Sequence, residues 1–271
     1  MARPDPLFTI VTINFNNAAG LDKTIRSVTE QSFPPKEYIV VDGGSTDASL
    51  ALIRTHASKI DTILNEPDRG IYDAMNKGAA LARGEWVLFL NSGDMFVASD
   101  ILERVAKVAS SCDADILLGD AVVLYPDGTD RLQKAVQPEE IPYGMICSHQ
   151  SMLVRRSLLL SLPFTIGKMR SDYEFTLRAW KLGRRFQLLG FAVAQLEPGG
   201  WSDRSRVQSL RERWILLREA GAYSARLLPH FGLSFFFAVV SPMAKTLLPG
   251  RATSAIRKLK IRYLNARSSR G

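Results

Sequence analysis

Gly84-Glu-Trp-Val-Leu-Phe-Leu-Asn-Ser-Gly-Asp94 contains an unbroken apolar run, Trp86–Leu90, that ends in a polar turn and an aspartate. A run with no polar alternation suits a strand covered on both faces, as in a parallel sheet packed between helices. The segments upstream repeat that logic. Residues 71–82 read as a helix, 61–64 as a short strand and 48–56 as a helix. Tyr38–Val41 is a second buried strand, 19–31 carries Leu21, Ile25 and Val28 at helical spacing, and Leu7–Ile13 is the first strand. Downstream, 99–109 reads as another helix. Alternation of strand and helix over about 110 residues predicts a doubly wound, mostly parallel sheet. Ligands of such sheets sit beyond the carboxyl ends of the strands, so the residues just after each strand carry the functional signal.

Four aspartates occupy such places. Asp42 follows Ile39-Val-Val41 and precedes two glycines that allow a tight turn and close approach of a ligand. Asp68 and Arg69 stand between Pro67 and Gly70 after the third strand. Asp94 projects a hard oxygen from the fourth strand, and Mg²⁺ or Mn²⁺ held by one such carboxylate completes its shell from a substrate diphosphate and water. Asp172 opens the helix expected over 172–182. Each also has an ordinary use in capping or turning the chain, and Ser45 or Thr46 offers a cap for the helix after Asp42. Glu174 reads as a solvated first-turn residue, and Gly78 and Gly84 as structural.

Beyond residue 115 the pattern turns mixed. Strand-like pieces fall at 116–118 and 122–125, a turn at Pro126-Asp-Gly128, an apolar segment at 149–154 and short strands near 186–196. The expected organisation is a nucleotide-binding half over 1–110, an acceptor-binding half of the same domain over 111–220, and a terminal segment over 221–271.

Taken together, Thr9-Ile-Val-Thr-Ile-Asn-Phe-Asn16, Val40-Val-Asp-Gly-Gly-Ser-Thr-Asp47, Asn65-Glu-Pro-Asp-Arg-Gly-Ile-Tyr-Asp-Ala-Met-Asn-Lys-Gly78 and Gly84–Asp94 resemble the family 2 inverting glycosyltransferases of GT-A fold. In detail they resemble bacterial enzymes of exopolysaccharide synthesis, the colanic-acid type included. The resemblance implies an α/β fold with a Rossmann-like central sheet, a mixed acceptor half and a helical tail. It implies nucleobase contacts from Thr12 and Asp42, base and ribose contacts from Asp68 with Arg69 beside it, a metal on Asp94, and Asp172 as the base. His149 is a candidate for the diphosphate or acceptor, and Trp201, in a loop resembling one that closes over the donor, for stacking on a sugar. The expected cofactor is Mn²⁺ or Mg²⁺. The donor would be a UDP- or GDP-sugar and the acceptor a saccharide, lipid-linked in this setting. Asn91 and Gly93 depart from the family's usual aspartates, leaving Asp94 as the one acid in that loop.

The net charge of +8 sits at one end. No Asp or Glu follows Glu219, whereas nine Lys and Arg do, so residues 1–219 sum to −1. With the apolar stretch 227–248, interrupted by Pro229, His230, Pro242 and Lys245, this predicts an element lying on an anionic membrane surface, the alternative being a core or dimer-interface helix followed by a solvated tail. The uninterrupted piece is shorter than the about 20 residues of a span. No nucleic-acid motif accompanies the basic tail, and no glycine-rich phosphate loop follows the first strand. These absences argue against a nucleic-acid partner and against the rival reading as a nucleotidyltransferase. Two cysteines and an amino terminus without a signal-peptide core suit a cytoplasmic enzyme, peripheral on the inner face of the plasma membrane.

Overall fold

The computed structural model describes residues 6–33, 36–125, 127–197 and 206–247. The parallel half follows the sequence pattern closely. Strands β1 (Phe8–Asn14), β2 (Lys36–Asp42), β3 (Thr62–Asn65) and β4 (Trp86–Phe89) lie in the order β3-β2-β1-β4, all parallel. Helices α1 (Ala18–Thr29), α2 (Ser49–Thr55) and α3 (Ile71–Leu81) connect them. Because successive strand side chains point to opposite faces, β1 supplies both cores. Val11 and Ile13 pack with α3, and Phe8 and Ile10 pack with α1. Trp86, Leu88, Val87 and Phe89 divide the same way, so the apolar run of β4 is covered on both sides.

Two glycines permit the close packing this needs. A methyl group at Gly78 would come within 2.4 Å of the Val11 side chain, and one at Gly84 within 2.5 Å of the Thr9 backbone nitrogen. Gly84 thus lies against the start of β1 as the chain enters β4 beside it.

The second half extends the same sheet with mixed directions. After β5 (Met95–Phe96) and α4 (Ile101–Ala109), β6 (Ile116–Leu124) forms one long, irregular strand where the sequence suggests two. A hairpin adds β7 (Asp130–Gln133), and β8 (Met152–Arg155) runs antiparallel between β4 and β6. Helices α5 (Arg156–Ser161) and α6 (Ser171–Lys181) precede β9 (Phe186–Leu196), a single strand parallel to β6 and antiparallel to β5. The result is the expected α/β fold, a mixed sheet flanked by helices. Helices α7 (Arg206–Glu219) and α8 (Leu228–Leu247) pack together on the side of α6.

Two local expectations change, and a third observation concerns the membrane. Neither Ser45 nor Thr46 caps α2: Ser45 turns back to Asp42, and Asp47 accepts the Ser49 amide at 2.9 Å. Glu174 is not solvated but largely buried, with one oxygen 2.8 Å from Lys168 Nζ. Among the described residues no helix is long and apolar enough to cross a membrane.

Candidate functional site at the strand ends

Register places the ends of the parallel strands side by side. Asn14 is opposite Asp42, and Asp42 is opposite Asn65. On the other flank of β1, Ser92 N donates to Ile13 O at 3.0 Å, bringing the Asn91–Asp94 loop to the same edge. Asn17, at the start of α1, donates to Ser92 O at 2.9 Å and links the two.

Asp42 forms the floor of this rim. Its side chain is fully buried: Oδ1 accepts the Ser45 amide at 2.8 Å, and Oδ2 accepts Ser45 Oγ and Asn14 Nδ2, each at 2.7 Å. The carboxylate therefore folds the Gly43–Ser45 turn, and a ligand reaching it would share oxygens already in use. Asp68 lies directly over that turn, close enough that a Gly43 Cβ would sit 2.4 Å from its Oδ2 and 3.4 Å from the Phe15 ring. Phe15 is 63 % exposed. Asn16 beside it is the one non-glycine residue with positive φ among the described residues, at 50°. An exposed aromatic beside a carboxylate, on a turn with Asn16 in the left-handed region, can stack on and hydrogen-bond a flat polar group.

One expected contact, that of Thr12, lies elsewhere. Thr12 is not on the rim: it is completely buried two residues before the strand end, with its hydroxyl 3.0 Å from the Tyr38 phenol inside the core. Burial pushes the Tyr38 pKa up, so that phenol stays neutral. Arg69 points largely into solvent and pairs with Asp73 at 3.2 Å on the first turn of α3. Trp201 lies outside the described residues.

Asp94 is 9 % exposed and accepts one hydrogen bond, from Gln150 Nε2 at 2.9 Å. Among the described residues it has no Lys or Arg partner. Burial, opposed by the Gln150 bond and the nearby His149, raises its pKa to about 6. A buried carboxylate so weakly compensated is suited to receive a cation. Among the described residues no three His, Cys, Asp or Glu side chains converge on one point. The donor set thus fits an ion that brings diphosphate and water ligands with it rather than a closed protein cage.

Asp172 occupies the first turn of α6, where it does not cap the helix. Its Oδ1 accepts the Tyr72 hydroxyl at 3.0 Å and the Tyr173 amide at 2.8 Å. Its Oδ2 lies 3.6 Å from His149 Nδ1. Burial would raise its pKa, but His149, Arg170 and the Tyr173 amide outweigh that and hold it below the usual carboxylate range. His149 faces Asp172 on one side and Asn91 Nδ2, at 3.0 Å, on the other. The candidate base and the Asp94 loop therefore meet through one imidazole.

The structure gathers Asp42, Asp68, Asp94, His149 and Asp172 into one region and leaves Thr12 out. Asn14, Phe15, Tyr72 and Gln150 belong to it without having been singled out by their sequence context. Tyr72 and Gln150 lie within quoted or noted segments, but only tertiary contacts reveal their partners.

Comparison with known proteins bears on the family and the fold. The family model for glycosyl transferase family 2 matches residues 9–171. A PGL/p-HBAD biosynthesis glycosyltransferase of Mycobacterium bovis is 31% identical over 181 residues, covering 65% of this chain and 70% of that protein. The glycosyltransferase AglE of Haloferax volcanii is 28% identical over 128 residues, covering 45% of this chain and 42% of its own. Among solved structures, S. aureus TarS 1–349 superposes with a TM-score of 0.65 at 21% identity, covering 89% of this chain and 74% of that one. A Pyrobaculum calidifontis mannosyltransferase, solved with GDP-Man and Mn²⁺, superposes with a TM-score of 0.60 at 18% identity, covering 96% and 81%. These superpositions support the GT-A form of the sheet. With the family model spanning more than half its length, the chain belongs to glycosyl transferase family 2 and is a glycosyltransferase.

Proposed function

We propose that this glycosyltransferase moves a sugar from a nucleoside diphosphate to an acceptor hydroxyl with inversion, in a single displacement. The observation that carries the reading is the shared rim. A nucleoside surface at Phe15, Gly43 and Asp68 adjoins the Asp94 loop, and a deprotonated Asp172 is tied to that loop through His149. Asp68 takes the ribose or base and Asp42 holds the turn beneath it. Asp94 would hold Mn²⁺ or Mg²⁺, which would supply positive charge to offset that of the diphosphate. Asp172, kept anionic at neutral pH, removes the acceptor proton. Residues 1–110 thus serve the donor, and 111–220 serve the acceptor. UDP- and GDP-sugars are the donor classes to test first, since TarS has been solved with UDP-GlcNAc and the mannosyltransferase with GDP-Man.

The acceptor we propose is a lipid-linked saccharide at an anionic membrane surface, in synthesis of a bacterial surface glycan of the exopolysaccharide, colanic-acid kind. Supporting this, Leu228, Gly232, Phe235 and Phe236 share one outward stripe of α8, with Phe235 54 % exposed. The chain continues past that helix with seven Lys and Arg and no acid. An apolar stripe beside a cationic segment matches the interface of an anionic bilayer.

Thermal-shift measurements with UDP, GDP and dTDP, each with and without Mn²⁺, test the donor site. One nucleotide should raise the melting temperature with a Mn²⁺-dependent increment, and that increment should vanish in Asp94→Ala. Three nucleotides without effect at millimolar concentration would remove the donor assignment.

A further inference from the structure

Asp172 is held by parts of the fold that belong to the donor half. Tyr72 lies on the first turn of α3, the helix that begins immediately after the Asp68–Gly70 loop. Its buried hydroxyl bridges Asp172 Oδ1 at 3.0 Å and the Met169 carbonyl at 3.2 Å. With the Tyr173 amide also on Oδ1, that oxygen has two donors at hydrogen-bond distance. Among the described residues Oδ2 has none: its neighbour is His149 Nδ1 at 3.6 Å, beyond hydrogen-bond length but within electrostatic reach. With its amide in this orientation, Asn91 Nδ2 donates at 3.0 Å to His149 Nε2, an arrangement that leaves the ring proton on Nδ1, toward Asp172. The charged and titratable groups facing Asp172 are Tyr72 from α3, His149 from the turn before β8, Arg170 from the turn before α6, and the buried Cys147 thiol.

We propose that Tyr72 and His149 are positioning residues that fix the Asp172 carboxylate so that Oδ2, not Oδ1, receives the acceptor proton. This rests on the reading of Asp172 as the base. In the step itself, the acceptor oxygen forms its bond to the anomeric carbon and its proton passes to Oδ2. The bond from that carbon to the diphosphate oxygen breaks, and the electron pair leaves with the diphosphate. Asp172 ends as a neutral acid with Oδ1 still anchored. Because Tyr72 comes from the nucleoside-loop helix and Asn91 from the Asp94 loop, the base is oriented by the same two loops that hold the donor. Contacts of this length between catalytic groups commonly shorten when the reacting complex assembles. A displacement of about 1 Å in a reacting group costs on the order of 100-fold in rate.

The test uses the full chain with UDP-GlcNAc and GDP-mannose as donor probes, water as acceptor and nucleotide release as readout. Tyr72→Phe and His149→Ala should each lower kcat about 10- to 100-fold, leave the Kd for the free nucleotide within about twofold, and move the acid limb of kcat to higher pH. His149→Asn, which keeps a donor near the Nδ1 position, should recover part of the loss. A substrate-independent measurement runs beside it. The protein has three histidines, so ¹⁵N spectra of the imidazoles can be assigned by substitution. His149 should be the Nδ1–H tautomer, and Asp172→Asn should perturb its signals. Wild-type kcat and an unmoved acid limb in both variants, or an Nε2–H tautomer for His149, overturns the positioning role while leaving the base assignment intact. Undiminished turnover in Asp172→Asn overturns the base assignment itself.

Discussion

Replacing Asp94 by Asn should make the metal-free protein more stable while depriving it of its response to Mn²⁺. The side chain is 9 % exposed, lacks a cationic partner among the described residues, and has its pKa raised by burial from 3.8 to about 6. For an acid, a folded-state pKa above the unfolded one means that ionisation opposes folding. The penalty is absent below the unfolded pKa, grows as pH rises through the window between about 4 and 6, and is complete above it. A shift of about two units corresponds to about 3 kcal/mol at pH 8 and about 1 kcal/mol at pH 4.5, as upper bounds. Asn cannot ionise and its amide oxygen can still accept from Gln150, so it removes the penalty without orphaning that donor. At roughly 2–4 °C per kcal/mol for a chain of this size, Asp94→Asn should melt several degrees above wild type at pH 8, and the gap should narrow to a third or less at pH 4.5. Differential scanning calorimetry in EDTA at the two pH values measures both. Adding Mn²⁺ on top of saturating cognate nucleotide should then raise the wild-type transition further and leave that of the nucleotide-bound variant where it was. A variant that melts at or below wild type at pH 8, or a gap independent of pH, would refute the claim that Asp94 is a desolvated, uncompensated carboxylate.

Other changes separate the parts of the site. Asp172→Asn should retain nucleotide affinity, measured by calorimetric titration, while donor turnover falls at least about 100-fold, the scale of a lost general base. Gly43→Ala places a methyl group 2.4 Å from Asp68 Oδ2, so the carboxylate must swing away. Nucleotide affinity should drop by about tenfold with a stability change below about 1 kcal/mol, because the clash falls on the mobile end of a side chain. Thr12→Val strands the buried Tyr38 hydroxyl and should cost about 1–2 kcal/mol in denaturant unfolding without altering nucleotide Kd; a large loss of affinity would return Thr12 to the binding site. Phe235→Ser with Phe236→Ser should weaken binding to anionic vesicles, and the residual binding should fall further with salt, because the tail's attraction is screened.

The parallel half of the fold was legible in the chain because its information is local. A strand covered on both faces must be continuously apolar, as at Trp86–Leu90, and its exit must be polar, as at Asn91–Asp94. Parallel pairing then brings the strand exits to one edge, and with them the rim on which Asp42, Asp68 and Asp94 stand. What spacing could not decide was which side chains at those ends face a ligand. Thr12 and Asn14 differ by two positions and share a face, yet one is sealed against Tyr38 and the other reaches Asp42. Asp42 spends its oxygens on its own turn and Asp68 covers it, an arrangement set by how the loop after β3 folds back. The base is the extreme case. Tyr72 and Asp172 are 100 residues apart, and His149 stands between Asp172 and an asparagine 58 residues before it. Local propensity placed each of these on its helix or turn. Only the packing of α3 and α6 on one face of the sheet, with the turn before β8 beside them, made them neighbours, because side-chain contacts across such separations depend on tertiary geometry that no local pattern encodes.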